Sequence, residues 1–111
     1  MEINIEYVGE ATVVMLNGEI DGQTSGIVQE AVLPLVQGGG ARILLDMTGV
    51  AFMSSAGLRT LLLIYRNINS SGGQIILVGL NDDLKDIMNS TGFLEHFALA
   101  DTVDEGYAAL N

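Results

Sequence analysis

The chain has 111 residues, the size of one domain, and can bury roughly two thirds of its unfolded surface around a single core. Fourteen acidic against four basic residues give a formal charge of −10, which opposes the phosphate neutralisation that nucleic-acid binding needs and disfavours anionic lipid surfaces. No cysteine is present, so disulfides, thiol catalysis and thiolate metal sites are excluded, while 49% apolar and 16% charged residues mark a folding composition rather than a disordered one.

The first residues, MEINIEYVGE, carry neither a basic leader nor an apolar stretch of signal-peptide length, and TLLLIY is far short of a membrane span. The chain is therefore expected to be soluble, unprocessed and cytoplasmic, without direct membrane insertion. Ile3, Ile5 and Tyr7 alternate, and a second run from Ala11 to Leu16 ends at Asn17-Gly18; together they predict a hairpin turning at Gly9-Glu10. From Thr24 the period becomes helical, with Ile27, Val28, Ala31, Val32 and Leu35 on one face and Thr24 or Ser25 as cap. Pro34 predicts a kink or an early end to that helix, ahead of the breaker Gly38-Gly39-Gly40.

Ile43, Leu44 and Leu45, closed by Asp46, form a short continuous apolar run of the kind found in strands covered on both faces, and Ile75 to Val78 repeat it. Between them, about Ser55 to Asn69, a helix presents Leu58, Leu61, Leu62, Tyr65 and Ile68 on one face. Strand, helix and strand at this spacing predict a right-handed parallel crossover. Asn81 or Asp82 can cap a short helix facing Leu84, Ile87 and Met88 inward and stopping near Gly92. Phe97 to Leu99 read as a last strand. Thr102-Val103-Asp104-Glu105 reads as a capping box before a terminal helix with Val103, Tyr107 and Leu110 on one face. The order is ββαβαβαβα, a single α/β domain spanning 1–111 without repeat or linker.

Ser54-Ser55 precede the central helix and raise three possibilities: nucleophile, cap or modification site. A serine nucleophile requires a base, and His96 is the one histidine. A nucleophile elbow places glycine two residues before and two after the serine; Ser55 has Met53 and Gly57, half of the pattern. A hydrolase is a poor fit. One histidine and scattered carboxylates supply no metal-ligand cluster, and the glycine tract precedes a strand rather than opening a helix, so neither metal nor nucleotide cofactor is expected. Asp82, Asp83, Asp101, Asp104 and Glu105 lie where helix starts favour negative charge. Asp21 and Asp46 fall at predicted element ends, where functional groups of open α/β sheets gather and where turn-forming aspartates are also common. Leu63 or Ile64 is available either to the core or to a partner, and Arg59 and Arg66 either to partner acids or to the chain's own carboxylates.

The segment LLDMTGVAFMSSAGLRTLL, with NGEIDGQT before it and GGQIILVGL after it, resembles the STAS domain of bacterial anti-sigma factor antagonists, over nearly the whole chain and in the same order. The resemblance implies a small mixed central sheet with about four helices packed mainly on one face. It also implies a phosphorylatable serine at the start of the second long helix, here Ser55. A cognate anti-sigma factor that is itself a serine kinase modifies that serine in the family, a PP2C-type phosphatase reverses it, and the unphosphorylated form binds the kinase. Around the acceptor, Asp21, Asp46, Met53, Ser54, Gly57, Leu58 and Arg59 match the neighbourhood of the family's phosphosite. Many antagonists carry Asp before the acceptor and Ser or Thr after it; here those residues are Ser54 and Ala56, which makes Ser54 a second candidate acceptor. The alternative is a STAS-like module that is never phosphorylated and binds a ligand or a membrane-transport complex, with Ser55 as a helix cap alone.

Overall fold

The computed structural model describes residues 1–110, and its first seventeen residues form the expected hairpin. Strand β1 (Glu2–Val8) pairs antiparallel with β2 (Ala11–Asn17), in register from Glu2 opposite Asn17 to Val8 opposite Ala11. Strands β3 (Arg42–Gly49), β4 (Gln74–Val78) and β5 (Ala98–Ala100) then add in parallel, giving a mixed sheet in the order β1-β2-β3-β4-β5. Each strand lies beside its predecessor, so the intervening helices must cross the sheet face to return the chain.

Helices α1 (Ser25–Val36), α2 (Ser55–Ser70) and α3 (Asp82–Ser90) cover one face, and α4 (Val103–Ala109) covers the other. Side chains alternate across a strand, so Ile43, Leu45 and Met47 enter the larger core with Val28, Leu61, Ile64 and Leu84. Leu44, Ile76 and Val78 face the smaller layer under α4, built with Val13 and flanked by Val103 and Leu110. Ile43, Leu44 and Leu45 are fully buried although they point to alternate faces of the sheet, as their unbroken run predicts. Truncating any one of them removes transfer free energy and leaves a cavity, a loss of about 2–5 kcal/mol.

Helix α1 contains Pro34 on its exposed side and ends at Val36, two residues later and ahead of Gly38, Gly39 and Gly40, all at positive φ. Three expectations need correction. The buried face of α1 is Val28, Val32 and Val36, whereas Ile27 is 48% exposed. Asp46 does not close its strand, which continues three residues to Gly49. The last strand begins at Ala98, because Leu94–His96 form a 3₁₀ turn that uses Phe97 as a core plug instead.

Caps follow side-chain chemistry. Asn81 accepts from the Leu84 N–H at 2.7 Å, and Thr102 accepts from the Glu105 N–H at 3.1 Å. Glu105 returns its carboxylate to the Asp101 N–H, one residue ahead of the usual capping-box donor. Tyr107 stays 43% exposed; the inward position of α4 is Gly106, close to Leu44, Val78 and Ala100.

Candidate functional site

The site is assembled where two loops meet beyond the ends of β2 and β3. Ile20 pairs with Met53 in an isolated parallel bridge: the Ile20 N–H donates to Phe52 O at 3.1 Å and the Ser54 N–H donates to Ile20 O at 2.9 Å. Both apolar side chains are buried, Ile20 at 0% and Met53 at 2% exposure, so the bridge anchors the entry to α2 in the main core. Gly57, one turn into α2, lies directly on this bridge. A Cβ there would collide with Met53 Cγ and sit 2.8 Å from Ile20 O, which explains why the helix start needs glycine at that position. Leu58 follows it into the core at 6% exposure.

The two serines occupy different environments. Ser54 is the N-cap residue of α2 with extended backbone, and its carbonyl accepts from the Leu58 N–H at 3.0 Å. Its Oγ is buried and has no hydrogen-bond partner, so it caps nothing. Ser55 is the first helical residue and is exposed. A group carried on Ser55 would therefore stand in solvent beside the free N–H groups of the first turn, where negative charge is favoured.

Asp21 follows Ile20 and turns the chain into α1. Its Oδ1 accepts from the Gln23 N–H at 2.9 Å and from the Thr24 N–H at 3.1 Å, and lies 3.3 Å from the Thr24 hydroxyl oxygen. Donation from Gln23, reinforced by Thr24, outweighs desolvation and holds the Asp21 carboxyl below its ordinary value. Thr24 occupies the α1 cap position, but its side chain is turned away: Thr24 Oγ1 donates to Glu19 O at 2.7 Å and accepts from the Asp21 N–H at 3.0 Å. Neither Thr24 nor Ser25 caps α1 through its side chain as expected; Asp21 orders the turn instead.

The structure thus brings Asp21, Met53, Ser54, Ser55 and Gly57 together through one bridge. Asp46 stands apart. It shares the α4-side face of β3 with Leu44, across the sheet from α2, and its Oδ1 accepts from the Thr48 N–H at 3.0 Å and the Thr48 hydroxyl at 2.6 Å. His96 is also remote from Ser55. Its ring lies 5.4 Å from that of Tyr65, ten residues and about 15 Å along α2 from Ser55, and it lines a groove with Asn69 and Gly73. Ser55 and His96 do not form a nucleophile and base.

Further along α2, Ile64 is buried and Leu63 is 37% exposed, which divides two residues that the sequence left equivalent. Arg59 and Arg66 are exposed on the same side and line a groove of about 510 Å³ against Ser25 and Gln29 of α1. At the floor Gln29 Nε2 donates to the buried Thr60 hydroxyl at 3.0 Å, tying the two helices together. Among the described residues the ion pair is Arg42 with Glu10, and Arg59 and Arg66 form none. Sequence reasoning missed Ile20 and Gln29, whose contribution depends on contacts with residues more than thirty positions away.

Among the described residues no group of three or more histidines or carboxylates could hold a metal ion, and no helix is long and apolar enough to cross a membrane. Known proteins share both sequence and fold with this chain. The anti-sigma F factor antagonist of Paenibacillus polymyxa is 26% identical over 102 residues, 91% of this chain and 87% of its own. A Thermotoga maritima crystal structure superposes with a TM-score of 0.89 at 23% identity, over 97% of this chain and 93% of the other. The anti-sigma factor antagonist SpoIIAA of Bacillus superposes at 21% identity in its unphosphorylated form (TM-score 0.76, covering 96% of this chain and 94% of the other) and its phosphorylated form (0.74, covering 96% and 97%). The STAS domain family model matches residues 2–106. With the element order, the mixed five-stranded sheet and the serine-led α2 all in place, the chain belongs to the STAS domain family, among relatives named as anti-sigma factor antagonists.

Proposed function

We propose that this protein is a cytoplasmic, non-enzymatic anti-sigma factor antagonist of a partner-switching pathway. In its unmodified form it binds a cognate anti-sigma factor that is also a serine kinase, and the kinase releases its target. Phosphorylation of Ser55 ends that binding, and a PP2C-type phosphatase restores it. The observation that carries this reading is the contrast at the start of α2: Ser55 is exposed at the first helical position, while the neighbouring Ser54 hydroxyl is buried. A kinase approaching this corner meets one accessible hydroxyl, which favours Ser55 over Ser54 as acceptor.

The chemistry of the switch is local. A phosphoserine carries a charge of about −2, and the first turn of a helix accommodates it through free N–H groups and the positive end of the dipole. The fold has no reason to change. The partner surface does change, because the same charge appears beside Asp21 and within a turn of Arg59.

Incubation with the cognate kinase and ATP, followed by mass spectrometric mapping, tests the assignment. One phosphate on Ser55, lost in Ser55→Ala while kinase binding persists, is the expected result. Phosphate confined to Ser54, or an intact mass that never shifts in native cells under any growth condition, overturns it.

A further inference from the structure

Of the four side-chain cations, Arg42 is paired with Glu10 and Lys85 lies on α3; the other two, Arg59 and Arg66, stand on one side of α2 and form no ion pair among the described residues. The protein has fourteen acidic residues, yet among the described residues no carboxylate is placed against these guanidinium groups. They are seven residues apart, two helical turns, so their Cα atoms are separated by about 10 Å along the axis. Between them Leu63 is 37% exposed, and beside them runs the groove whose far wall is Ser25 and Gln29 of α1. The floor is fixed by the Gln29–Thr60 hydrogen bond, so the groove is a feature of the α1–α2 packing rather than of loose side chains.

We infer that this groove is the docking surface for an acidic amphipathic segment of the partner protein, with Arg59 and Arg66 each taking a carboxylate and Leu63 taking an apolar side chain between them. The occupant is set by charge complementarity. A basic or neutral segment would leave both guanidinium groups unpaired as they are in the free protein, whereas carboxylates two turns apart on a partner helix match the spacing and the planar fork of arginine. The molecule as a whole, at −10, repels an acidic segment, so this stripe also fixes where such a segment can land.

The inference rests on the proposed antagonist function for the identity of the partner and extends it by naming the surface. Ser55 precedes Arg59 by one turn on the same helix. A phosphate there can draw the Arg59 guanidinium toward itself through an i, i+4 contact, removing one of the two anchors at the moment of modification.

The test measures binding of the unmodified protein to its purified anti-sigma factor kinase for wild type, Arg59→Gln/Arg66→Gln, Leu63→Ala and Lys85→Gln. The arginine pair should weaken binding about thirtyfold or more, as interfacial arginine anchors do, and should flatten the salt dependence, while Lys85→Gln stays within about twofold. A second arm titrates isotope-labelled protein with a synthetic helical peptide bearing two glutamates seven residues apart around a leucine. Amide shifts should concentrate at Gln29, Arg59, Leu63 and Arg66, and a scrambled peptide should not reproduce them. Equal losses for the arginine pair and Lys85→Gln, or shifts centred elsewhere, overturn the docking surface. Loss of kinase binding in Ser55→Asp with full binding by the arginine pair overturns the groove and keeps the phosphoswitch. Loss in the arginine pair with no phosphate ever found on Ser55 does the reverse.

Discussion

Ile20 and Ser54 are joined by a 2.9 Å backbone hydrogen bond that couples the loop leaving β2 to the residue opening α2. The loop in question goes on to Asp21 and the start of α1, so the first turns of both long helices are held by the same few residues. Gly57 is packed against this junction, within 2.8 Å of Ile20 O if it carried a Cβ.

Gly57→Ala should therefore destabilise the protein even though alanine is the better helix former. The added methyl meets Met53 Cγ and a backbone carbonyl, and only the first of these belongs to a side chain that can move. Overpacking of this kind costs about 1–3 kcal/mol, more than the helix-propensity gain of up to about 1 kcal/mol. Urea denaturation should show a lower midpoint with an unchanged slope; a midpoint equal to or above wild type would refute the steric reading.

The role of Gly57 could not be read from its neighbours in sequence, which offered only half of a nucleophile elbow. Its cause lies in Ile20, thirty-seven positions earlier, reaching it through a bridge of one residue pair. Elements with strong periodicity or strong caps were legible: the β1–β2 hairpin, the twice-covered β3 run and the Thr102 cap follow from local chemistry, while at α3 the choice between Asn81 and Asp82 is decided for Asn81 by the structure. Pro34 lies on the exposed side of α1 two residues before its end, while Val32 and Val36 on the other side hold the last turn in the core. Leu63 and Ile64 are equivalent as a pair of aliphatic residues; only the placement of α1 and the sheet around α2 decides that Ile64 is core and Leu63 is surface. For the candidate site, the sequence pattern pointed to Ser55 and Arg59, but it also grouped Asp46 with them, which strand alternation sends to the opposite face.

Ser54→Ala should be neutral or stabilising. The Ser54 hydroxyl oxygen is buried without a partner, and an unsatisfied buried polar group costs about 1–3 kcal/mol, part of which is recovered when it is removed. Asn81→Ala is the contrasting control: it deletes a cap that accepts from Leu84 N–H and should cost about 1 kcal/mol. Thermal unfolding of the two variants side by side should move in opposite directions or leave Ser54→Ala unmoved. A loss for Ser54→Ala as large as that for Asn81→Ala would show that its hydroxyl caps α2 after all.

Asp21 predicts a pH signature. The Gln23 and Thr24 N–H groups hold its folded-state carboxyl below the ordinary value of 3.8, so the ionised form stabilises the fold. That contribution is complete above 3.8, the unfolded value, and disappears as pH falls through the lower folded value. Asp21→Asn keeps an acceptor oxygen but loses the charge. Its stability deficit relative to wild type should be constant near neutrality and shrink below pH 3.8; a deficit that grows on acidification would contradict the assignment.

Phosphorylation of Ser55 should leave the fold intact while changing what it binds. The residue is exposed at the first position of a sixteen-residue helix that has no acidic residue in its first turn, so the dipole and N–H groups there are uncompensated. A phosphate supplies that missing charge and, with Arg59 one turn on, gains an i, i+4 contact; each effect stabilises by a few tenths to about 1 kcal/mol at low salt. The phosphoprotein should melt at the same temperature as the unmodified protein or slightly above it, with the increment shrinking as salt is raised and shrinking further in Arg59→Gln. Far-ultraviolet circular dichroism should be superimposable. If the phosphoprotein instead melts lower or loses helicity, the release of the partner would stem from local unfolding around the Ile20–Met53 bridge, and the surface-charge mechanism would fall.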